Sequence, residues 1–277
     1  MNYDSKINNY NASEVNEIGV NTMKVETIQT GWTLVSSSVP DRSKHRWKKA
    51  YSRLFQSKNS RIKVPVKCFY VTVAGHTFLI DAGWSEQVVD NAKKHLGFGL
   101  NFASEPVMAS VESAKHQLEG KNIDCILMTH LDCDHVSGVH DFKGKKIICA
   151  REEYEYASKN SIRYGKLLDG LTFEYIKFKK DDDAVFGKSS DIFGDGSVIA
   201  YLTPTHSAGS VIYRITEAGK YYLLVGDNGY MEASWQEGIL PGPLYDSDNM
   251  LKCLKWIKKE SENINCLGVL CAHEHTI

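Results

Sequence analysis

Four apolar runs in this chain end on a histidine or an aspartate. Residues 123–128 run into Thr129-His130, residues 198–202 into Thr203 and then His206, residues 221–225 into Gly226-Asp227, and residues 267–271 into Ala272-His273. Short apolar runs bounded by turn residues read as buried strands. The ends of strands are where a rigid sheet can hold side chains with the accuracy that chemistry requires. A chain of this pattern is therefore expected to fold as sheets whose strand ends and following loops carry the polar groups.

The densest of these endings is His130-Leu131-Asp132-Cys133-Asp134-His135, which offers four metal-capable side chains. A strand would place positions 130, 132 and 134 on one face, a tight turn would bring His135 round towards a neighbouring ion, and Gly138 would release the backbone beyond. Imidazole and carboxylate suit borderline divalent metals. The competing account is an exposed loop where Asp and His merely cluster. It is weakened by the buried strand directly before His130, where unpaired polar groups are costly.

Around these endings the pattern predicts a strand over residues 24–39 and a hairpin from 66–73 and 77–80 through Ala74-Gly75-His76. It predicts helices over 106–118, 151–157 and 249–259, the last with Met250, Leu251, Leu254 and Ile257 on one face. Further strands are expected over 146–150 and 172–178. Many strands with intervening helices and no Pro/Gly/Ser linker give one α/β (α+β) domain over 24–277, with residues 1–23 as a loose or peripheral arm.

Composition narrows the partners. The 277 residues are 42% hydrophobic and carry a formal net charge of -1, so neither a nucleic acid nor an anionic membrane is expected as partner. A basic cluster at 42–67 reads as a solvated face or a lid. The first residues lack an apolar stretch of the secretory kind, and no apolar run approaches the length needed to span a bilayer. Seven cysteines form an odd set without paired spacing, which suits a reducing cytoplasm. The sequence leaves a homodimer open.

The segment His130–His135 resembles the His-x-His-x-Asp-His signature of the metallo-β-lactamase superfamily, near its N-acyl homoserine lactonase branch. Four further stretches carry the resemblance: Asp81-Ala82-Gly83, Thr203-Pro204-Thr205-His206-Ser207-Ala208-Gly209, and the two strand endings at Asp227 and at His273. The resemblance implies an αββα sandwich with two metals at one edge. It implies that His130, Asp132 and His206 hold one ion, that Asp134, His135 and His273 hold the other, and that Asp227 bridges them. Asp81 would support the ligands rather than join them. His275 is a rival for the place of His273, and His45, His76, His95, His116 and His140 read as surface residues. Asp132 departs from the pattern, standing where most members have a second His. Zinc is the expected metal, with iron or manganese as alternatives because a carboxylate hardens the site.

The activity implied is hydrolysis by a hydroxide shared between two metals, opening a lactone or cleaving a carboxylic ester of a small molecule. Asp134 or Asp227 would pass the proton to the leaving alkoxide. Tyr230, three residues after Asp227, would meet the developing oxyanion. A phosphodiesterase, a thioester hydrolase, a di-iron redox protein and a non-catalytic binding protein remain as alternatives. Trp47, Phe55, Phe98, Phe102 and Trp235 are candidates for an apolar substrate wall.

Overall fold

The computed structural model of the chain describes residues 23–44 and 61–274. One sheet contains β1 (Lys24–Ser36), β2 (Arg61–Val73), β3 (His76–Ile80), β4 (Glu105–Val107), β5 (Cys125–Leu127), β6 (Lys146–Cys149) and β7 (Phe173–Tyr175), in the order β4-β1-β2-β3-β5-β6-β7. The other contains β8 (Lys179–Lys180), β9 (Lys188–Asp191), β10 (Val198–Leu202), β11 (Val211–Glu217), β12 (Lys220–Leu224) and β13 (Cys266–Leu270), in the order β13-β12-β11-β10-β9-β8. Pairing is antiparallel except for the β3–β5–β6–β7 run and the β12–β13 pair.

Strand alternation sorts the side chains into layers. Phe69, Val71, Phe78, Ile80 and Leu127 of the first sheet meet Ala200, Val211, Tyr213 and Ile215 of the second. Their neighbours Cys68, Tyr70, Leu79 and Ile126 point the other way. There they pack on α1 (Gln87–Leu96), α2 (Phe98–Ala103), α3 (Ala114–Gln117), α4 (Cys133–Val136), α5 (Arg151–Ser158) and α6 (Ser161–Tyr164). On the far side, Ile212 and Leu223 pack against α7 (Glu232–Glu237) and α8 (Ser247–Ser261) through Trp235, Met250, Leu254 and Ile257. The result is the expected αββα sandwich, and each fully buried aliphatic side chain in it stabilises by roughly 1.5–3 kcal/mol.

Several local expectations are corrected. Residues 106–118 have helical apolar spacing but do not form one helix. Trp32–Leu34 of β1 pairs with Glu105–Val107 as an edge strand, and the chain then turns through a short 3-10 segment into α3, capped by Ser113 accepting from the His116 N–H. The 130–134 stretch is not a strand either. β5 ends at Leu127, the chain runs as loop through Asp132, and Asp134 and His135 project from the single turn of α4. Residues 172–178 yield only the short β7 before the chain bends into β8. All of the expected arm at 1–23 except Met23, and much of the basic 42–67 cluster, with Trp47, Phe55 and His45, fall outside the described residues, as does His275. Among the described residues, no helix is long and apolar enough to cross a membrane.

The strand ends converge as anticipated. The backbone N–H of Val211 donates to the Thr129 carbonyl at 2.8 Å, and the Tyr213 hydroxyl to that of Met128 at 2.9 Å. These bonds join the two sheets directly beneath the loop that carries His130.

Candidate metal centre

All seven residues expected as ligands come together at this edge, in two groups. His130, Asp132, His206 and Asp227 form one, and Asp134, His135 and His273 the other. Asp227 faces both with different oxygens. Its Oδ1 lies 3.2 Å from His135 Nε2 and 3.2 Å from His273 Nε2. Its Oδ2 lies 3.8 Å from His130 Nε2 and 3.7 Å from His206 Nε2.

The imidazoles are held by their other nitrogens. His135 Nδ1 donates to Asp81 Oδ2 at 2.8 Å, His273 Nδ1 to the Pro65 carbonyl at 2.8 Å, and His206 Nδ1 to the Pro243 carbonyl at 3.1 Å. His130 Nδ1 donates to Thr129 Oγ1 at 2.9 Å, and that hydroxyl in turn donates to Asp81 Oδ2 at 2.7 Å. Each bond fixes the tautomer and leaves the Nε2 lone pair pointing inward, which is how outer residues prepare a histidine for a metal. Asp81 does this from a left-handed backbone conformation, φ 57°, costly for a non-glycine residue and characteristic of functional sites.

Electrostatics around the second group show what it is built to hold. Burial alone would keep His135 and His273 neutral. The carboxylate of Asp227, helped by Asp81 at His135 and by Asp134 at His273, outweighs burial and raises both pKa values, His135 well above the ordinary range. Burial likewise disfavours the Asp227 carboxylate, yet the two imidazoles hold its pKa well below the ordinary value. Facing lone pairs need positive charge between them, and a proton and a metal ion compete for that place. Among the described residues, His130 Nε2, His135 Nε2 and Asp227 Oδ1 are buried without a hydrogen-bond partner. Buried polar atoms are rarely left so. The donor set of Asp134, His135, His273 and Asp227 Oδ1 therefore fits a divalent cation.

The first group contains a residue that sequence reasoning missed. Arg163 of α6 forks onto Asp132, Nε donating to Oδ1 and Nη2 to Oδ2, both at 2.7 Å. Nη2 also lies 2.7 Å from His206 Nε2, and Nη1 donates to the His206 carbonyl at 3.3 Å. Burial would raise the Asp132 pKa, but the guanidinium holds it well below the usual carboxylate range. Burial, and then Arg163, lower that of His206. Glu153 was missed as well. Fully buried on α5, it accepts from the backbone N–H groups of Leu131 and Gly209 and from Ser207 Oγ, tying the His130 and His206 loops to one carboxylate. Its only sequence signal is an acid in the first turn of a helix, where acids are common.

Tyr230 packs into the centre, stacked on His273 with ring centroids 5.1 Å apart and edge-on to His206 at 5.9 Å. Burial, then the charges of Asp227 and Asp132, raise its pKa well above the ordinary value, so the hydroxyl keeps its proton. A cavity of about 540 Å³ opens above Asp132, Asp134, Asp227, Tyr230 and His273. Phe98 and Phe102 line it as anticipated, together with Val35, Val64, Leu100 and Leu244. Trp235 does not. It is buried against α8 on the far side of the second sheet. Two of the supposed surface histidines are likewise corrected: His95 bonds Ser137 Oγ at 2.9 Å, and His140 bonds the Leu167 carbonyl at 2.7 Å, with their rings edge to face.

The sequence pattern of the Metallo-beta-lactamase superfamily matches residues 61–261. The chain belongs to that superfamily. Within it, the chain is 27% identical over 225 residues to the N-acyl homoserine lactonase AttM of Azorhizobium caulinodans, covering 76% of this chain and 82% of that protein. It is 26% identical over 206 residues to the N-acyl homoserine lactonase AiiA of Bacillus thuringiensis subsp. kurstaki, covering 72% and 77%. Among superfamily structures, it is similar to an N-acyl homoserine lactone hydrolase with N-hexanoyl-L-homoserine bound at its catalytic metal center. That likeness has a TM-score of 0.70 and 21% identity, covering 90% of this chain and 92% of the other. The dizinc quorum-quenching lactonase AidC is similar at a TM-score of 0.63 and 13% identity, covering 92% and 89%. Structural likenesses at such identities speak for the superfamily fold.

Proposed function

We propose that this metal-dependent hydrolase opens the ring of lactones bearing an apolar acyl group, N-acyl homoserine lactones being the class that fits. The observation that carries the reading is the cavity: its floor is the carboxylate–imidazole cluster and Tyr230, and its wall is largely aliphatic and aromatic. Such a pocket suits a ligand with a polar reacting end and an apolar tail. The lactonase relatives support the same substrate class.

When bound, divalent cations supply Lewis acidity and lower the pKa of water at the site. The protein's own groups do the rest. The protonated Tyr230 hydroxyl donates a hydrogen bond where negative charge develops on the carbonyl oxygen. Asp134, at the cavity floor with Oδ2 3.6 Å from His273 Nε2, takes up a proton and returns it to the leaving alkoxide. Asp227 orients both halves of the centre through its two oxygens. The apolar wall excludes water from the tail.

A phosphodiesterase would draw on the basic 42–67 cluster to hold its phosphate, but the described basic residues of that cluster are engaged elsewhere. Arg42 reaches the Gly242 carbonyl, Lys44 pairs with Asp41 at 3.5 Å, Arg61 pairs with Glu105 at 2.8 Å, Lys63 lies over the Trp32 ring, and Lys67 donates to the Glu274 carbonyl. None of these lines the cavity. The test is direct: metal-loaded enzyme is given homoserine lactones of increasing acyl length, a phosphodiester and a thioester, and ring opening or release is followed by pH-stat and chromatography. Fastest turnover on the medium-chain lactones supports the proposal; preference for the phosphodiester or thioester overturns it. Cytoplasmic residence belongs to the same reading, supported by seven unpaired cysteines.

A further inference from the structure

The two halves of the centre are not equivalent. Around Asp134, His135, His273 and Asp227 Oδ1, acceptors face acceptors, and among the described residues His135 Nε2 and Asp227 Oδ1 have no hydrogen-bond partner. Around His130, Asp132 and His206, a protein cation already stands between the acceptors. Arg163 Nη2 is 2.7 Å from both Asp132 Oδ2 and His206 Nε2, while Nε satisfies Asp132 Oδ1. His206 donates from Nδ1 to the Pro243 carbonyl, so its single remaining lone pair, on the Nε2 that lies 2.7 Å from Arg163 Nη2 and 2.9 Å from Asp132 Oδ2, is the one that Arg163 takes. An imidazole lone pair cannot serve a guanidinium and a metal together. With His206 engaged and each Asp132 oxygen already accepting from Arg163, the half keeps one unshared imidazole, that of His130, with Asp227 Oδ2 3.8 Å away. The four ligands that such cations ordinarily take are not free together here.

We propose that the Arg163 guanidinium is the resident cation of the His130–Asp132–His206 half, so that the chain holds one tightly bound divalent ion, in the Asp134–His135–His273 half. This rests on the reading of the cluster as a metal centre but not on the lactone assignment. The arrangement also explains Asp132. A carboxylate in place of the superfamily's usual histidine adds a negative charge, and the planar fork of Arg163 matches it bidentately, which neither a lysine nor a histidine would do. Asp132 and Arg163 thus form one unit, in which a fixed side chain supplies positive charge at the cavity floor where the superfamily ordinarily places a second ion.

The test is the stoichiometry of Mn²⁺, titrated alone into chelator-stripped full-length protein and followed by elemental analysis and electron paramagnetic resonance. The wild type is expected to take up one equivalent tightly and to give the six-line signal of an isolated ion. Arg163→Gln frees Asp132 and His206, and is expected to bind a second equivalent at least about tenfold more tightly than the wild type does. Its spectrum is expected to be that of two coupled ions. Should that variant fail to fold, Asp132→His combined with Arg163→Gln removes both charges of the pair together and is expected to give the same two-ion spectrum. Two coupled ions in the wild type, or a single ion in every folded variant, would overturn the proposal. Uptake of no metal by any folded variant would overturn the metal-centre reading itself, and is distinguishable from both.

Discussion

Glu153 makes the sharpest demand on the scaffold. Its carboxylate is fully buried, with Oε1 accepting from the Leu131 N–H at 3.0 Å and the Tyr164 hydroxyl at 3.3 Å, and Oε2 from Ser207 Oγ at 2.5 Å and the Gly209 N–H at 3.1 Å. Glu153→Ala strands these donors. Ser207 Oγ can turn to Ser210 Oγ, 2.8 Å away, but the two backbone N–H groups have no such recourse. A buried donor left unsatisfied costs about 1–3 kcal/mol, so the pair predicts a loss of about 2–6 kcal/mol. Glu153→Gln keeps the shape and one acceptor but turns an N–H towards donors, and is expected to cost about half as much. Gly209 cannot relax to help, because a Cβ there would lie 2.1 Å from the Glu153 backbone nitrogen, showing how tightly loop and helix are pressed. Urea unfolding of the metal-free proteins measures both losses. A Glu153→Ala protein within about 1 kcal/mol of wild type would refute the reasoning, since the loops would then hold themselves.

Gly138→Ala should destabilise by more than about 3 kcal/mol in the same urea assay, because its Cβ would come within 2.1 Å of the Ala82 carbonyl oxygen; a well-folded variant of unchanged midpoint would contradict this. His95 is held neutral by burial and then by His140, its pKa pushed down to about 4. Between that value and the ordinary one near 6.5 the unfolded chain binds the extra proton, so stability falls as pH drops through this window. For a half-buried ring the difference is about 1 kcal/mol at pH 5, and chemical unfolding of metal-free wild type and His95→Gln at pH 7 and pH 5 should show the wild type losing that much more. Tyr230→Phe should lower kcat on the best lactone on the order of 10²-fold with metal content and KM little changed. Steady-state kinetics returning the wild-type kcat would remove the hydroxyl from the chemistry.

The strand endings were legible because burial and chemistry meet there in consecutive residues. Apolar runs into Thr129-His130 and Ala272-His273 could be read without knowing how the sheets pair. The helical expectation at 106–118 failed because Val107, Val111, Ala114 and Leu118 have the right spacing, while the free edge of β1 offers Glu105–Val107 ladder hydrogen bonds that spacing does not reveal. Expecting 130–134 as a strand failed for a related reason: alternation of ligands mimics alternation of strand faces, whereas the backbone turns at Asp132 into α4. Gly138, read as a point of release, is a point of close approach, its N–H donating to the Gly83 carbonyl at 2.7 Å. Arg163 and Glu153 were invisible because α5 and α6 are short and polar, and either residue would pass for a solvated charge. The one available hint was Asp132 itself, since an extra carboxylate set among other acids calls for a cation.

The parallel docking of β13 on β12 sets when the centre can come into being. His273 follows β13, and the chain must cross the second sheet through α8 before β13 can find its place beside β12. A nascent chain halted before residue 266 would already carry His130, Asp132, Asp134, His135, His206 and Asp227, yet would offer Asp227 Oδ1 one imidazole instead of two. In small zinc modules the ion is the seed around which the peptide folds. Here the order would be reversed: an ion that needs both imidazoles facing Asp227 Oδ1 would find them only after β13 has docked on β12.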